Sequence, residues 1–212
     1  MTKKLQSITE KISPAVALIV IATVWASISG FELVPSYMLP SPVSVARAFV
    51  EDFPLLMEHA ATTLTEAGIG LGNGIILAFI TASLMDRFKL LYNAVYPLMI
   101  ITQTIPTVAI APILIMWMGF DMAPKIALIV LTTFFPITVG LLDGYASVDA
   151  DAVSLLRSMG AGRLRIFFTV KIPSALSHFF AGLKISTSYA VVGGVIADYD
   201  VTAKMLRIFG IE

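Results

Sequence analysis

Five apolar runs divide the chain, each close to the roughly 20 residues that a helix needs to cross a hydrocarbon core of about 30 Å. They are Pro14–Phe31 and about Thr62–Met85, Leu91–Met118, Ala123–Leu142 and Pro173–Ala197. Ser13 and Pro14 read as the N-cap and first position of the first helix. No small-x-small cleavage pattern closes that run, so it reads as a membrane helix rather than a signal-peptide core. A Pro-containing polar stretch extends from it to about Ala61, and from Asp198 to Glu212 no further apolar run follows. The third run, about 28 residues long, exceeds a straight crossing. Its Pro106 and Pro112 each remove a backbone donor, which predicts a bent or split helix.

Composition sharpens the pattern into a class. Of 212 residues, 58% are hydrophobic and only 13% charged, against about 25% charged in an ordinary soluble domain. Mean hydropathy is +0.90 over the whole chain. The expected fold is all-α: a polytopic bundle of about five membrane helices. Fourteen basic residues balance fourteen acidic ones and there is no Cys. That excludes a disulfide scaffold, a thiolate metal site and a basic nucleic-acid surface. Lys3, Lys4, Lys11, Arg87, Lys89, Arg157, Arg163, Arg165 and Lys171 fall on one side of the alternating spans; only Arg47, Lys125, Lys204 and Arg207 fall on the other. The asymmetry predicts a cytoplasmic N-terminus, and five spans then leave the C-terminus outside.

Few side chains inside the runs carry chemistry. Gly68, Gly70, Gly72 and Gly74 form two interleaved small-xxx-small pairs suited to close helix packing. Thr102, Gln103, Thr104 and Pro106 sit where the third run should break, so they are candidates to line a wet path or to bond neighbouring helices. Glu66, one turn inside the second run, is either a path contact or an interfacial anchor. Lys184 lies about three turns into the fifth run, with a stem that can snorkel towards the cytoplasm. His59 and His178 are the only histidines and stand in different segments. Without Cys, a His-Glu-x-x-His run or a nucleophile–base set, neither a metal, a cofactor nor an enzyme is expected. No G-x-x-x-x-G-K-[ST] phosphate loop occurs, so the chain should not hydrolyse ATP itself.

About thirty residues, Asp143–Ile172, join the fourth and fifth runs, long for a compact bundle. They read as two short helices. The first follows Asp149 and Asp151, places Ala152, Leu155, Leu156 and Met159 on one face, carries Arg157 in its last turn and stops at Gly160. The second runs from about Arg163 to Thr169, with Arg163 and Arg165 basic, and Pro173 starts the next span. Such a pair could lie on headgroups, pack under its own bundle or enter a partner's groove.

The loop resembles the E-A-A-x3-G-x9-I-x-L-P signature of permease subunits of ATP-binding-cassette (ABC) importers. Gly160 takes the Gly position; Val170, Lys171, Ile172 and Pro173 take I-x-L-P; Ser154, Leu155 and Leu156 stand where E-A-A would be, without the acidic opening. Leu39-Pro40-Ser41-Pro42, Gln103-Thr104-Ile105-Pro106 through Pro112, and Trp117-Met118-Gly119 with Lys125-Ile126 are similar to the nitrate, sulfonate and taurine branch. Glu66, Met85-Asp86, Phe134-Phe135-Pro136-Ile137 and Thr187-Ser188-Tyr189 look closest to permeases for thiamine pyrimidine precursors. The resemblance implies a type I importer fold, usually of six spans, and a single permease domain over 1–212, shortened at its C-terminus, with a coupling loop at about 143–172. It implies two permease copies forming a homodimer in the bacterial inner membrane, cytoplasmic ABC ATPase subunits, and an external substrate-binding protein. The coupling residues would be Ser154, Leu155, Leu156, Arg157, Gly160, Arg163, Arg165, Val170, Ile172 and Pro173. The cargo would be a thiamine pyrimidine precursor or a nitrate-, sulfonate- or taurine-like anion. A secondary transporter or a structural membrane subunit is the alternative, though no internal repeat supports the former.

Overall fold

The computed structural model describes residues 3–119 and 121–198, all helix and short connection; the expected shortening at the C-terminus concerns residues 199–212, outside the described ones. The helices are α1 (Lys3–Gly30), α2 (Pro42–Glu51), α3 (Phe53–Arg87), α4 (Lys89–Thr104), α5 (Thr107–Met118), α6 (Met122–Ala146), α7 (Ala150–Ser158), α8 (Arg163–Ile166) and α9 (Ile172–Asp198). Two compact units divide the chain between Ala60 and Ala61.

In the first unit α1 begins at Lys3, so Pro14 lies inside the helix rather than at its start. The Lys-, Leu-, Gln- and Glu-rich opening has good helix propensity, and a single Pro removes only one backbone bond. The Pro-containing polar stretch up to about Ala61 is mostly helical. Ser41 caps α2 by accepting from the Ser44 amide at 3.1 Å, with Pro42 at the first position. Trp25 Nε1 donates to the Pro40 carbonyl at 2.9 Å, tying the turn back to α1. α3 starts at Phe53, eight residues before Ala61.

In the second unit, small residues decide how the long helices meet. Gly70 and Gly74 of α3 lie against Ile129 and Thr133 of α6; a Cβ on Gly70 would sit 2.5 Å from Ile129 Cγ2. Gly68 and Gly72 face nothing within 4 Å, so among the described residues the Gly70–Gly74 pair is the one that packs. Ala78 and Ala82 continue the four-residue stripe into a core with Ile137 and Leu141. The paired residues keep one offset, 59, so α3 and α6 run parallel. α6 also meets α9, antiparallel, with Ile129 lying against Gly193 and Gly194 of α9 as well as Gly70 of α3. Gly140 lies under the His178 carbonyl, Gly144 under Ala175, and Gly182 against the Pro136 carbonyl, where a Cβ would come within 2.5 Å.

The third apolar run is split, as its prolines predict. α4 and α5 meet at a break around Ile105 and Pro106 and are bent by 102°. A re-entrant loop would return the chain to the side it left, making α3 and α6 antiparallel. Their parallel register requires α4 and α5 together to cross as one broken span. The long apolar helices are therefore α3, α6 and the run Arg163–Ile196, with α4–α5 as a fourth crossing. The described apolar stretch of α1, Val16–Gly30, is shorter than these.

Candidate functional site

The connection between α6 and α9 is built by local rules. Asp149 caps α7, its carboxylate accepting from the Asp151 amide at 2.9 Å. At the other end the Ala161 amide bonds to the Leu156 carbonyl at 2.9 Å and the Gly160 amide to the Arg157 carbonyl at 3.0 Å. This is a Schellman stop, and Gly160 supplies the left-handed residue it needs, with φ of +80°. A side chain there would add strain, which is why Gly fits the position.

The apolar face expected on α7 divides. Ala152, Val153 and Leu156 are half-buried, whereas Leu155 and Met159 are 61% and 74% exposed. Adjacent helical positions stand about 100° apart, so Leu155 and Leu156 cannot both face the bundle squarely. Beyond Gly160, Leu164 and Phe168 are also exposed, at 75% and 63%. Ser154, Arg157, Arg163 and Arg165 are exposed as well.

The second short helix is not a separate element. α8 passes through a π-helical segment, Phe167–Lys171, directly into α9, with the Ile172 amide bonded to the Phe167 carbonyl five residues back. Pro173 does not start the span; it sits in the first turn of α9. Its ring would crowd the carbonyl four residues earlier, and the wider π turn relieves that clash. Val170 and Ile172, half-buried, lie in and just after this wide turn. Lys171 points to Asp86 at the end of α3, with 2.6 and 2.7 Å to its two carboxylate oxygens. A cavity of about 640 Å³ opens beside that pair, lined by Arg87, Val153, Arg157, Arg163, Leu164 and Phe167 among others. α8 is thereby continuous with α9, and the wide turn between them is tied to α3 by a charge pair; α7 hangs from this joint through the Gly160 stop.

The path candidates fall in two places. Gln103, Thr104 and Pro106 are exposed at the α4–α5 break, and Thr102 is half-buried with its hydroxyl donating to the Met99 carbonyl at 2.7 Å. Glu66 lies elsewhere, 1% exposed in the α3–α6 seam, its Oε1 3.1 Å from Lys125 Nζ. Its Oε2 is buried without a hydrogen-bond partner. Glu66–Lys125 is the next rung of the Gly70–Ile129 ladder towards one end of α3, and Asp86–Lys171 closes the other end. Twenty residues of helix separate Glu66 from Asp86, about 30 Å, the thickness of a hydrocarbon core. Neither ion pair was signalled by spacing, because their partners are 59 and 85 residues apart. The single sign of partnership was that each charge lies at the edge of an apolar run. His59 and His178 belong to different helices, and no group of three metal-binding side chains forms among the described residues.

A split crossing, a tightly packed pair of spans and an exposed helical elbow rooted in one of them define a multi-pass transport subunit. Residues 74–202 match the binding-protein-dependent transport system inner membrane component family, and the chain belongs to it. It is a permease subunit of an ABC importer and a multi-pass inner membrane protein, which sets aside the secondary-transporter and structural alternatives. The chain is 34% identical to the formylaminopyrimidine transport permease protein ThiX of Halalkalibacterium halodurans, over 90% of this chain and 76% of that one. It is 31% identical to a probable ABC transporter permease protein of Haemophilus influenzae, over 89% and 77%. With the putative aliphatic sulfonates transport permease protein SsuC of Bacillus subtilis it shares 30% identity, over 84% and 66%.

Proposed function

We propose that this subunit forms half of an inward path for a small polar solute, and that the α7–α8 elbow couples the path to nucleotide hydrolysis on separate cytoplasmic ATPases. Two copies of the chain would frame the path, and an external binding protein would deliver the cargo. The excess of Lys and Arg on one side of the alternating spans supports a cytoplasmic N-terminus, which places the elbow beneath the bilayer. The relatives transport formylaminopyrimidine and, putatively, aliphatic sulfonates, so a thiamine pyrimidine precursor and a small anion are the two cargo classes in view.

One observation carries the coupling reading. Leu155, Met159 and Leu164 present apolar surface outward from a capped, rigidly stopped helix pair that continues into a membrane span. Closure of the ATPase pair would push that surface, and α9 would carry the displacement past α6. The coupling free energy is the difference between the elbow's contacts with open and closed ATPases. Ser154 to Arg157 with Gly160, Arg163 and Arg165 form the docking side; Val170, Ile172 and Pro173 form the wide turn through which motion enters α9. Gln103, Thr104 and Pro106 at the break are the candidate path lining, with Thr102 behind them. Glu66 would act on the path through its grip on Lys125.

Uptake in cells carrying the permease with and without its ATPase tests the reading. Transport of a labelled formylaminopyrimidine or alkanesulfonate should require both. Uptake that persists without an ATPase would overturn it.

A further inference from the structure

We infer that Lys184 is the anion-selecting group of the path: its ammonium meets the carboxylate, sulfonate or similar oxyanion of the cargo halfway through the membrane. The inference rests on the permease reading and chooses between its two cargo classes.

Depth comes first. Ser186 Oγ donates to the Thr133 carbonyl at 2.9 Å, and Gly182 lies against Pro136, so Lys184 stands level with Phe135 of α6. The constant offset between α6 and α3 puts Phe135 level with Ile76. Ile76 is ten residues from Glu66 and ten from Asp86, about 15 Å from each ion pair. Lys184 therefore lies at the centre of the apolar layer that the two pairs bracket. A lysine stem reaches about 6 Å, too short to bring the ammonium to either surface.

Orientation follows from the helix. Ala175, Gly182, Ser186 and Ala190 are the buried side of α9. Lys184 lies two positions from Ser186, about 200° round the axis, and is exposed together with Ser177, Ala181 and Ser188. These four recur at near-helical spacing, so Lys184 and two serines share the face turned away from α6, flanked by the exposed Phe180, Val191 and Val192. Hydrocarbon is a costly setting for an ammonium at that depth, which favours a face turned to the bundle interior or to a wet path over one turned to lipid.

The missing counter-charge decides the chemistry. Among the described residues Lys184 has no ion pair. Along all five apolar runs the sole acidic residue is Glu66, buried against Lys125 and about 15 Å nearer one surface. We take the cargo to be the counter-charge. An ammonium with three donors suits an oxyanion and repels a cation. In a wet path the attraction stays weak enough for release.

The chain contains no Cys, so a single introduced thiol is the only one in the given permease sequence, and the unsubstituted assembly treated alongside gives the background. In the assembled transporter in membrane vesicles, Ser188→Cys, one turn from Lys184, is treated with sulfonatoethyl and trimethylammonioethyl methanethiosulfonate, one negative and one positive. Both should react, the negative reagent preferentially, and the ratio of their rates should fall on the order of tenfold in Lys184→Gln and return in Lys184→Arg. Using the ratio cancels any change in thiol ionisation. Ser177→Cys serves as the second position. An unchanged ratio in Lys184→Gln would overturn the inference, as would failure of both reagents at both positions in every nucleotide state. ATP-dependent uptake, measured separately, can hold while this ratio does not change, so the two readings fail independently.

Discussion

Glu66 and Lys125 show how much one side chain can hold at this depth. A carboxylate 1% exposed with one oxygen unpartnered is tolerable only while the ammonium stays beside it. Glu66→Ala should lower the melting temperature of the detergent-solubilised protein, reflecting a loss of about 3 kcal/mol; an unchanged melt would mean the pair is dispensable. The glycines make a sharper contrast. Gly182→Val should force α6 and α9 apart, because the Pro136 carbonyl occupies the space, and its membrane abundance should fall several-fold on immunoblots. Gly68→Ala, which meets only open space, should leave abundance unchanged or slightly raised, since Ala favours a helix over Gly by about 1 kcal/mol. The sequence shows four glycines at alternating positions and cannot say which pair packs. That choice belongs to the facing residues, Ile129 and Thr133, which are distant in the chain. Lys184 was legible as an intramembrane charge, but its central depth emerges only from the registers of three helices.

At the scale of elements, local chemistry was readable wherever it is local. The Asp149 cap, the Gly160 stop and the split at Pro106 all depend on neighbours within a turn or two, and all appear. The start of α1 and the join of α8 to α9 differ from the sequence expectation for the opposite reason: Pro14 and Pro173 read as helix starts, whereas long helices run through or beside them. The π turn ahead of Pro173 is the device that makes continuity possible, and no sequence period announces it. Continuity matters for function, because a rigid joint transmits what a loose linker would absorb. Gly160→Glu should abolish uptake at normal membrane abundance, since it strains the elbow and loads its docking side with charge. Gly160→Asn, which tolerates left-handed backbone, should retain a substantial fraction of uptake. Equal uptake by the Glu variant and the native protein would remove Gly160 from the coupling account.

At the scale of the second unit, two ion pairs bracket about 30 Å of closely packed helix, and the elbow hangs from one end through Lys171 and Asp86. Asp86→Asn should reduce transport more than abundance, because it loosens the elbow without opening the α3–α6 seam; the exchange Asp86→Lys with Lys171→Asp should recover part of it. The sequence displayed the apolar runs and the resemblance of the loop, enough to reach a permease class. It counts α4–α5 as one split crossing, and the parallel register of α3 and α6 is what favours that count over a re-entrant loop. The central claim is that the elbow is the point where a separate motor takes hold. Met159→Cys in this Cys-free chain, joined by a short bismaleimide to cysteines placed over the ATPase surface in native membranes, tests it most directly. The account predicts adducts confined to one groove on the ATPase, with a yield that changes between nucleotide-free and ATP-bound states. Absence of any adduct in an assembled, transporting complex would contradict it.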